Sequence, residues 1–259
     1  VEYHIDKRIM NRSHSFWSLG FFTAGLFGAL FSQVQISPTV HFAISFFVGS
    51  LLALYFSFRY RAAKLRPNSN DKTSTFVVPN KGVLALVIFT LSAMLIEGAG
   101  IDWSVIFMRD IFGTPAFVNG TALFLGAFAQ FLVRYFADSI VERYGSETVA
   151  RSSILAMFFG LMIISLTNKP YFALIGFTLM GGGTAVLFPL AVSAAAQKSD
   201  RSAATNVASL AQLSFVVFLL GPPLLGFVAE KFGIRLSFAI CLPLLFLSWI
   251  FVFSLKKKV

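Results

Sequence analysis

The sequence contains one cysteine, Cys241, and few charged residues. A single thiol excludes an intrachain disulfide and a cysteine-based metal cluster. His14 and His41 have no partner at the i, i+4 spacing of a helical metal site, so no metal site is expected. Charged residues make up 12% of the chain, whereas a soluble domain has about 25%. The composition therefore excludes an ordinary soluble protein.

Signatures of enzymes and of ATP-driven pumps are also absent from the sequence. The glycines at 181–183 precede Thr184, but no Lys-Ser/Thr follows, which excludes a phosphate-binding loop. No nucleophile lies in a pattern with a general base, so we predict no enzyme activity and no cofactor. The first residues, VEYHIDKRIMNRSHS, contain no apolar core and no cleavage site, so we do not expect a signal peptide.

The chain does contain eight long apolar segments. It is 57% hydrophobic, with a mean hydropathy of +0.79. Each segment has roughly the 20 residues that a helix needs to cross the hydrocarbon core of a bilayer. We therefore predict an all-α, polytopic membrane protein with eight transmembrane helices in a lipid bilayer. The segments are 15–34, 40–58, 83–107, 117–136, 152–168, 171–195, 204–229 and 233–255.

The basic residues are distributed asymmetrically between the two ends of these segments. All of the 21 Lys and Arg residues fall on one side except Arg109, Lys169, Lys231 and Arg235. Cytoplasmic loops carry such an excess, so we predict an inner-membrane protein with both chain ends in the cytoplasm. Membrane insertion and anionic lipids account for the net charge of +10, and no nucleic-acid partner is predicted.

A polar stretch and an internal repeat divide the chain. Residues 59–81 form the longest hydrophilic stretch, which predicts a cytoplasmic linker between residues 1–58 and a six-helix bundle at residues 82–259. With a gap of two residues, residues 22–44 align with residues 218–240, and Gly28 then falls on Gly226. Weak internal symmetry is typical of secondary transporters. The repeat predicts that residues 1–58 are the remainder of a first bundle with four more helices before Val1.

Two stretches repeat an order of acid, base, aromatic and glycine. RYFADSIVERYG follows segment four, and GFVAEKFGIR follows segment seven. An acid–base pair at a helix end can hold neighbouring helices together, and glycine permits a tight turn. We predict a latch at these loops, with solvated loop charges as the alternative. The predicted latch residues are Arg134, Asp138, Glu142, Arg143, Gly145, Gly226, Glu230, Lys231 and Gly233.

This repeated pattern resembles the loop motif G-x-x-x-D-[RK]-x-G-[RK] of the major facilitator superfamily. Further stretches resemble its fucose-permease-like branch: HSFWSLG, EGAGIDW, VRYFADSIVERYG, LFPLAVSAA and GPPLLGFVAEKFGIR. The resemblance implies the major facilitator superfamily fold without its first four helices. The first loop departs from the motif, because Asp138 stands at the first glycine, Glu142 at the acid and Ser146 where a base is common.

Glu97 is the deepest acid predicted within an apolar segment, and Gly98 and Gly100 flank it. An ionisable group at such depth requires a cavity or a partner. Glu97 is therefore expected either to form structural hydrogen bonds or to handle a substrate or proton. The other candidates for handling a substrate or proton are Asp102 and Trp103, predicted near the periplasmic surface, and Gln130, Thr184, Phe188 and Gln212. The alternative for Trp103 is a position at the membrane interface with no role in the site. The alternative for Gln130 and Gln212 is a hydrogen bond between helices.

The resemblance implies a secondary transporter that moves a small polar, sugar-like solute by alternating access. It also implies a cavity between the bundles, to which segments three and six contribute as helices seven and ten of twelve. A carboxyl such as Glu97 would suit coupling to protons. The competing hypothesis is a non-transporting membrane sensor, or a relic of a transporter that binds a partner.

Overall fold

A computed structural model describes residues 10–59 and 77–256, and every element in these ranges is a helix. The α-helices are α1 (Met10–Gln33), α2 (Pro38–Arg59), α3 (Lys81–Phe112), α4 (Ala116–Tyr144), α5 (Ser146–Leu166), α6 (Pro170–Thr184), α7 (Leu187–Ala196), α8 (Ala203–Phe232), α9 (Ile234–Ala239) and α10 (Leu242–Ile250). A 3₁₀ helix, Phe251–Leu255, follows α10.

Eight helical spans in the described residues are long and apolar enough to cross a membrane, which confirms the predicted fold class. α6 and α7 together form the sixth span, and α9, α10 and the 3₁₀ helix form the eighth. α4 continues to Tyr144, beyond the predicted end at residue 136. The prediction ended this helix too early because hydropathy falls where charged residues begin.

α1 packs antiparallel against α4. The amide of Asn11 at the beginning of α1 bonds Asp138 near the end of α4. At the other end, a Cβ atom on Gly120 of α4 would lie 2.5 Å from the Cβ atom of Ala29. α2 has no buried residue along its length. Most of the predicted linker lies outside the described residues, so the division of the chain into two bundles stays a prediction.

Three phenylalanine rings form a buried cluster between helices that follow residue 77. Phe107, Phe177 and Phe238 come from α3, α6 and α9, and each is almost fully buried. Their ring centroids lie 5.4–5.6 Å apart in edge-to-face pairs. Each such pair contributes about 0.5–1.5 kcal/mol beyond the burial of its surface. This cluster fixes α3 and α6, which carry part of the candidate site.

The segment that leads into α3 is fastened to the beginning of α8. The backbone N–H of Val77 donates to the Gln212 side chain at 3.1 Å, and Arg201 donates to the Val78 carbonyl at 2.8 Å. The side chain of Asn80 then caps α3 by accepting from the N–H of Val83. These bonds set where α3 begins and therefore how deep Glu97 lies.

Candidate functional site

A buried ion pair joins α3 to α4. Glu97 lies midway along α3, and its side chain is 10% exposed. Arg134 of α4 is 4% exposed, and its Nη2 atom lies 3.1 Å from Oε2 and 3.3 Å from Oε1 of Glu97. Burying either charge alone would cost several kcal/mol, so each side chain depends on the other.

Arg134 does not lie in a loop, contrary to the sequence analysis. It lies inside α4, and its burial is possible because Glu97 supplies the opposite charge. Gln130, Arg134 and Asp138 recur every four residues and therefore share one face of the helix. All three are buried. This spacing was visible in the sequence and would have indicated a polar face directed at protein rather than lipid.

The guanidinium of Arg134 also binds two further elements. Nη1 donates to the Ser18 hydroxyl of α1 at 2.7 Å. Nε donates at 2.7 Å to the carbonyl oxygen of Ala185, between α6 and α7. One side chain therefore holds α1, α3 and the sixth span together, which the fork of donors on arginine permits.

A chain of neutral hydrogen bonds continues from Ser18. Its hydroxyl donates to Oε1 of Gln130 at 2.8 Å, and Nε2 of Gln130 donates to the Thr184 hydroxyl at 3.0 Å. Thr184 in turn donates to the Gly181 carbonyl at 2.9 Å. Each member is buried and both donates and accepts, so the network is fully connected.

A small cavity lies beside this network. Its volume is about 30 Å³, and Glu97, Gln130 and Thr184 contribute to its wall together with Phe21 and Met180. Such a volume accommodates one or two water molecules. A pocket for a drug-sized ligand measures about 300–1,000 Å³, so the described residues by themselves form no solute-sized space beside this network.

The other predicted site residues lie away from this cavity. Asp102 is exposed, and Phe188 lies between His14 and Phe215, with ring centroids 6.3 and 5.7 Å away. Trp103 is half-buried beside Gly226, where a Cβ atom would lie 3.2 Å from the indole ring. Gln212 accepts a bond from the backbone of Val77. The structure therefore brings together only Glu97, Gln130 and Thr184 of the predicted set, and adds Arg134 and Ser18.

The contact between α1 and the end of α4 is carried by Asp138. Its Oδ1 accepts from Nδ2 of Asn11 at 2.7 Å, and its Oδ2 accepts from the backbone N–H of Arg12 at 3.1 Å. A carboxylate at a helix N-terminus also interacts favourably with the helix dipole. The Arg12 guanidinium donates to the Tyr135 hydroxyl at 2.6 Å and lies over its ring.

The predicted acid–base pair is not formed at this end of α4. Glu142 and Arg143 are both exposed, and the guanidinium of Arg143 lies 5.2 Å from the ring centroid of Tyr144. Within residues 10–59 and 77–256, no ion pair involves either residue. The charges therefore remain solvated, and the buried Asp138 makes the interhelix contact instead.

The second repeat lies at the opposite end of the helices. The chain crosses three times between the end of α4 and the end of α8, through α5, the sixth span and α8 itself. Gly226 lies inside α8, while Glu230 and Lys231 are exposed. The two stretches therefore cannot form equivalent latches on one side of the membrane.

The two repeats share a backbone turn. Gly145 has φ 83° and ψ 152°, and Gly233 has φ 90° and ψ 150°. This region of the backbone map is essentially restricted to glycine. Each glycine N–H donates to the carbonyl four residues earlier at 2.9 Å. The repeated sequence thus encodes a tight turn between two helices.

Comparison with known proteins places the chain in a family. The profile of the Major Facilitator Superfamily matches residues 7–216 and residues 85–259. The chain belongs to the major facilitator superfamily. This confirms the resemblance drawn from the loop motif, and with the eight apolar helices it identifies a multi-pass membrane protein.

Three relatives illustrate the similarity. A protein named as an uncharacterized transporter in Sinorhizobium fredii is 32% identical over 93% of this chain and 63% of its own length. An uncharacterized MFS-type transporter of Yersinia pestis is 29% identical over 67% of this chain and 45% of its own length. The membrane protein MosC of Rhizobium meliloti is 28% identical over 60% of this chain and 38% of its own length. The chain thus spans less than two thirds of each relative.

Proposed function

We propose that the protein is a secondary transporter that moves a small polar, sugar-like solute by alternating access. The observation that carries this proposal is the Glu97–Arg134 ion pair, which lies beside a cavity in the middle of the transmembrane helices. Charged side chains at such depth mark the paths of substrates or ions. Membership of the superfamily and the transporter names of two relatives support it.

The chain would correspond to helices five to twelve of a twelve-helix protein. Residues 1–58 are then part of the first bundle, residues 59–81 the linker and residues 82–259 the second bundle. The distribution of basic residues supports a location in the inner membrane with both chain ends in the cytoplasm. In this arrangement α1 belongs to the first bundle, and its contact with α4 closes the cytoplasmic side.

Glu97 is proposed to couple transport to protons. A buried charge that loses its partner is destabilised by about 3–5 kcal/mol. Protonation of Glu97 would therefore leave Arg134 without its counter-charge and favour a different arrangement of the helices. A solute that reaches the cavity would meet Glu97, Gln130 and Thr184, whose polar atoms can bond hydroxyl groups.

The test is uptake by the full-length protein in liposomes that contain a pH-sensitive dye. Labelled D-glucose, D-galactose, L-fucose and myo-inositol are the probes, each with and without an imposed pH gradient. We expect at least one probe to accumulate against its gradient with proton flux. Glu97→Gln should retain expression and solute binding but lose this pH-driven accumulation, because the amide cannot exchange a proton.

Glu142→Gln is the matched control, since Glu142 is exposed at the end of α4. It should transport like the wild type. Full pH-driven accumulation by Glu97→Gln would end the proton-coupling role of Glu97. Absence of uptake for every probe, in protein that is folded and inserted, would contradict a sugar-like solute.

A further inference from the structure

The sixth span is interrupted between α6 and α7, and proline explains the interruption. α6 ends at Thr184, and α7 begins at Leu187. In a continuous helix the carbonyl of Ala185 would accept from the N–H of residue 189. That residue is Pro189, which has no N–H. The Ala185 carbonyl therefore has no donor from its own helix and needs one from elsewhere.

Arg134 supplies this donor from α4. Its Nε–H donates to the Ala185 carbonyl oxygen at 2.7 Å, and the arginine is buried. The same guanidinium binds Glu97 through Nη2. The unpaired carbonyl in the sixth span and the carboxylate on α3 are thus bridged by one rigid, planar group.

The two halves of the sixth span are held differently. Gly181 of α6 lies against the backbone of Gly126 in α4, and a Cβ atom on Gly183 would lie 2.5 Å from Cγ of Met157 in α5. These contacts of backbone with neighbouring helices immobilise α6. α7 packs mainly against α3 and α8 instead. We call the interruption at Ala185 and Val186, between α6 and α7, the joint. A change at the joint therefore alters the angle of α7 while α6 stays in place.

We infer that Arg134 is a positioning residue that couples the charge of Glu97 to the angle between α6 and α7. While Glu97 is ionised, it holds the guanidinium in the position from which Nε reaches the Ala185 carbonyl. When Glu97 is neutral, the guanidinium loses this anchor and releases the joint. The inference rests on the proposed function, because it names the conformational change, a change in the angle between α6 and α7, that protonation of Glu97 would cause.

Few other charged groups surround the guanidinium. His14 on α1 interacts electrostatically with both Arg134 and Glu97. Asp138, one turn further along α4, is bonded to Asn11 and Arg12. α6 and α7 contain no Asp, Glu, His, Lys or Arg. A pH response of the joint can therefore be assigned by substituting Glu97 and, as a check on α1, His14.

The experiment measures the distance between spin labels on either side of the joint. The labels are placed at Ile175 in α6 and at Gln197 just after α7, both exposed, in a Cys241→Ala background of the full-length protein. In the wild type we expect the distance distribution to change by several ångströms between alkaline pH and a pH low enough to protonate Glu97. Glu97→Gln should remain at the acidic distribution at both pH values, whereas His14→Gln should respond like the wild type.

Arg134→Lys separates the ion pair with Glu97 from the other bonds of the guanidinium. A lysine ammonium can pair with Glu97 but cannot hold the carboxylate, Ser18 and the Ala185 carbonyl in one fork. We expect a shifted distribution that no longer depends on pH. Arg143→Lys, the same substitution at an exposed position of α4, should leave the distribution unchanged. An unchanged, pH-dependent distribution in folded Arg134→Lys would overturn the inference.

Pro189→Ala tests whether the free carbonyl of Ala185 is what Arg134 holds. This test remains possible even if the Arg134→Lys variant does not fold. Alanine at position 189 supplies the backbone N–H donor that the Ala185 carbonyl lacks. The interruption between α6 and α7 should then straighten, and the distance should lose its pH dependence. Adding Arg134→Lys to Pro189→Ala should then cause no further shift, and additive shifts would contradict the shared carbonyl. The distances need no solute. If uptake fails but the distance still depends on pH, the proposed function is contradicted and the inference is not. If the wild-type distance does not depend on pH, the inference is contradicted.

Discussion

Gly181 of α6 lies so close to Gly126 of α4 that a Cβ atom on Gly181 would overlap the carbonyl group of Gly126. Small residues allow such close approach of membrane helices. The glycine run therefore packs α6 against α4, and the interruption of the sixth span follows at Ala185. This contact sets the distance between Gln130 and Thr184.

Gly181→Ala should destabilise the protein. The added methyl group must displace backbone, and overpacking of this kind costs about 1–3 kcal/mol. The neighbouring Gly182→Ala is the control, because its nearest atom, in Val133, would lie 3.6 Å from the new Cβ. Thermal unfolding in detergent should show a lower midpoint for Gly181→Ala only. Equal midpoints for both variants would mean that α4 and α6 can separate freely.

Asp138→Asn should loosen the contact between α1 and α4. A hydrogen bond to a charged group contributes about 1.5–3 kcal/mol, and Asp138 accepts two. The measurement is the rate at which a water-soluble maleimide labels Ser15→Cys, a buried position, in a Cys241→Ala background. We expect several-fold faster labelling with Asp138→Asn and no change with Glu142→Gln. Faster labelling with Glu142→Gln instead would restore the latch that the sequence predicted.

Gly145→Ala and Gly233→Ala should each cost about 1–3 kcal/mol, because their backbone conformation is disfavoured for every other residue. Gly113 ends α3 with φ 59° and ψ 30°, a left-handed conformation that asparagine tolerates. Gly113→Asn should therefore leave the unfolding midpoint almost unchanged. If Gly145→Ala and Gly113→Asn had the same effect, the two turns would not differ in strain.

The Glu97–Arg134 pair should show strong coupling in a double-mutant cycle. Arg134→Ala alone should destabilise the protein by about 3–5 kcal/mol, because it leaves a buried carboxylate unpaired. Glu97→Ala with Arg134→Ala should cost clearly less than the sum of the two single changes. The surface pair Glu147–Lys256, at 3.7 Å with Lys256 68% exposed, is the control. Its coupling should be about 0–1 kcal/mol, and a similar value for Glu97–Arg134 would argue against a buried pair.

The topology can be tested with single cysteines at Ser69 and Gln35 in intact cells. The distribution of basic residues predicts Ser69 in the cytoplasm and Gln35 outside. An impermeant maleimide should therefore label Gln35→Cys, and should label Ser69→Cys only after the cells are broken. Labelling of Ser69→Cys from outside would reverse the proposed orientation.

The transmembrane helices could be predicted because bilayer thickness fixes their length and hydropathy is averaged over many residues. Glu97 could be singled out because an isolated acid in an apolar segment needs an explanation. Its partner could not be found in the same way. The latch pattern placed Arg134 in a loop, although segment four reaches residue 136, and α3 supplies the counter-charge only after folding.

Two features of the sequence, Pro189 and the glycines at 145 and 233, could be interpreted only once the fold was known. Pro189 deprives Ala185 of a donor in any helix, yet only the structure shows that Arg134 supplies one. The glycines at 145 and 233 repeat because both turns need a positive φ, whereas their charged neighbours suggested a latch. The role of Asp138 depends on where α1 begins, which the sequence placed five residues later.

The contact between α1 and α4 is not uniform along its length. Near Asn11 and Ser18 it includes buried side-chain hydrogen bonds, whereas at Ala29 a small residue lies in close contact with Gly120. Water can replace hydrogen bonds, but nothing replaces lost contact between closely packed backbones. We therefore expect α1 and α4 to separate at the Asn11 end while they stay in contact at Gly120, which acts as the hinge. Such a motion would admit water to the site from one side of the membrane while the other side stays sealed.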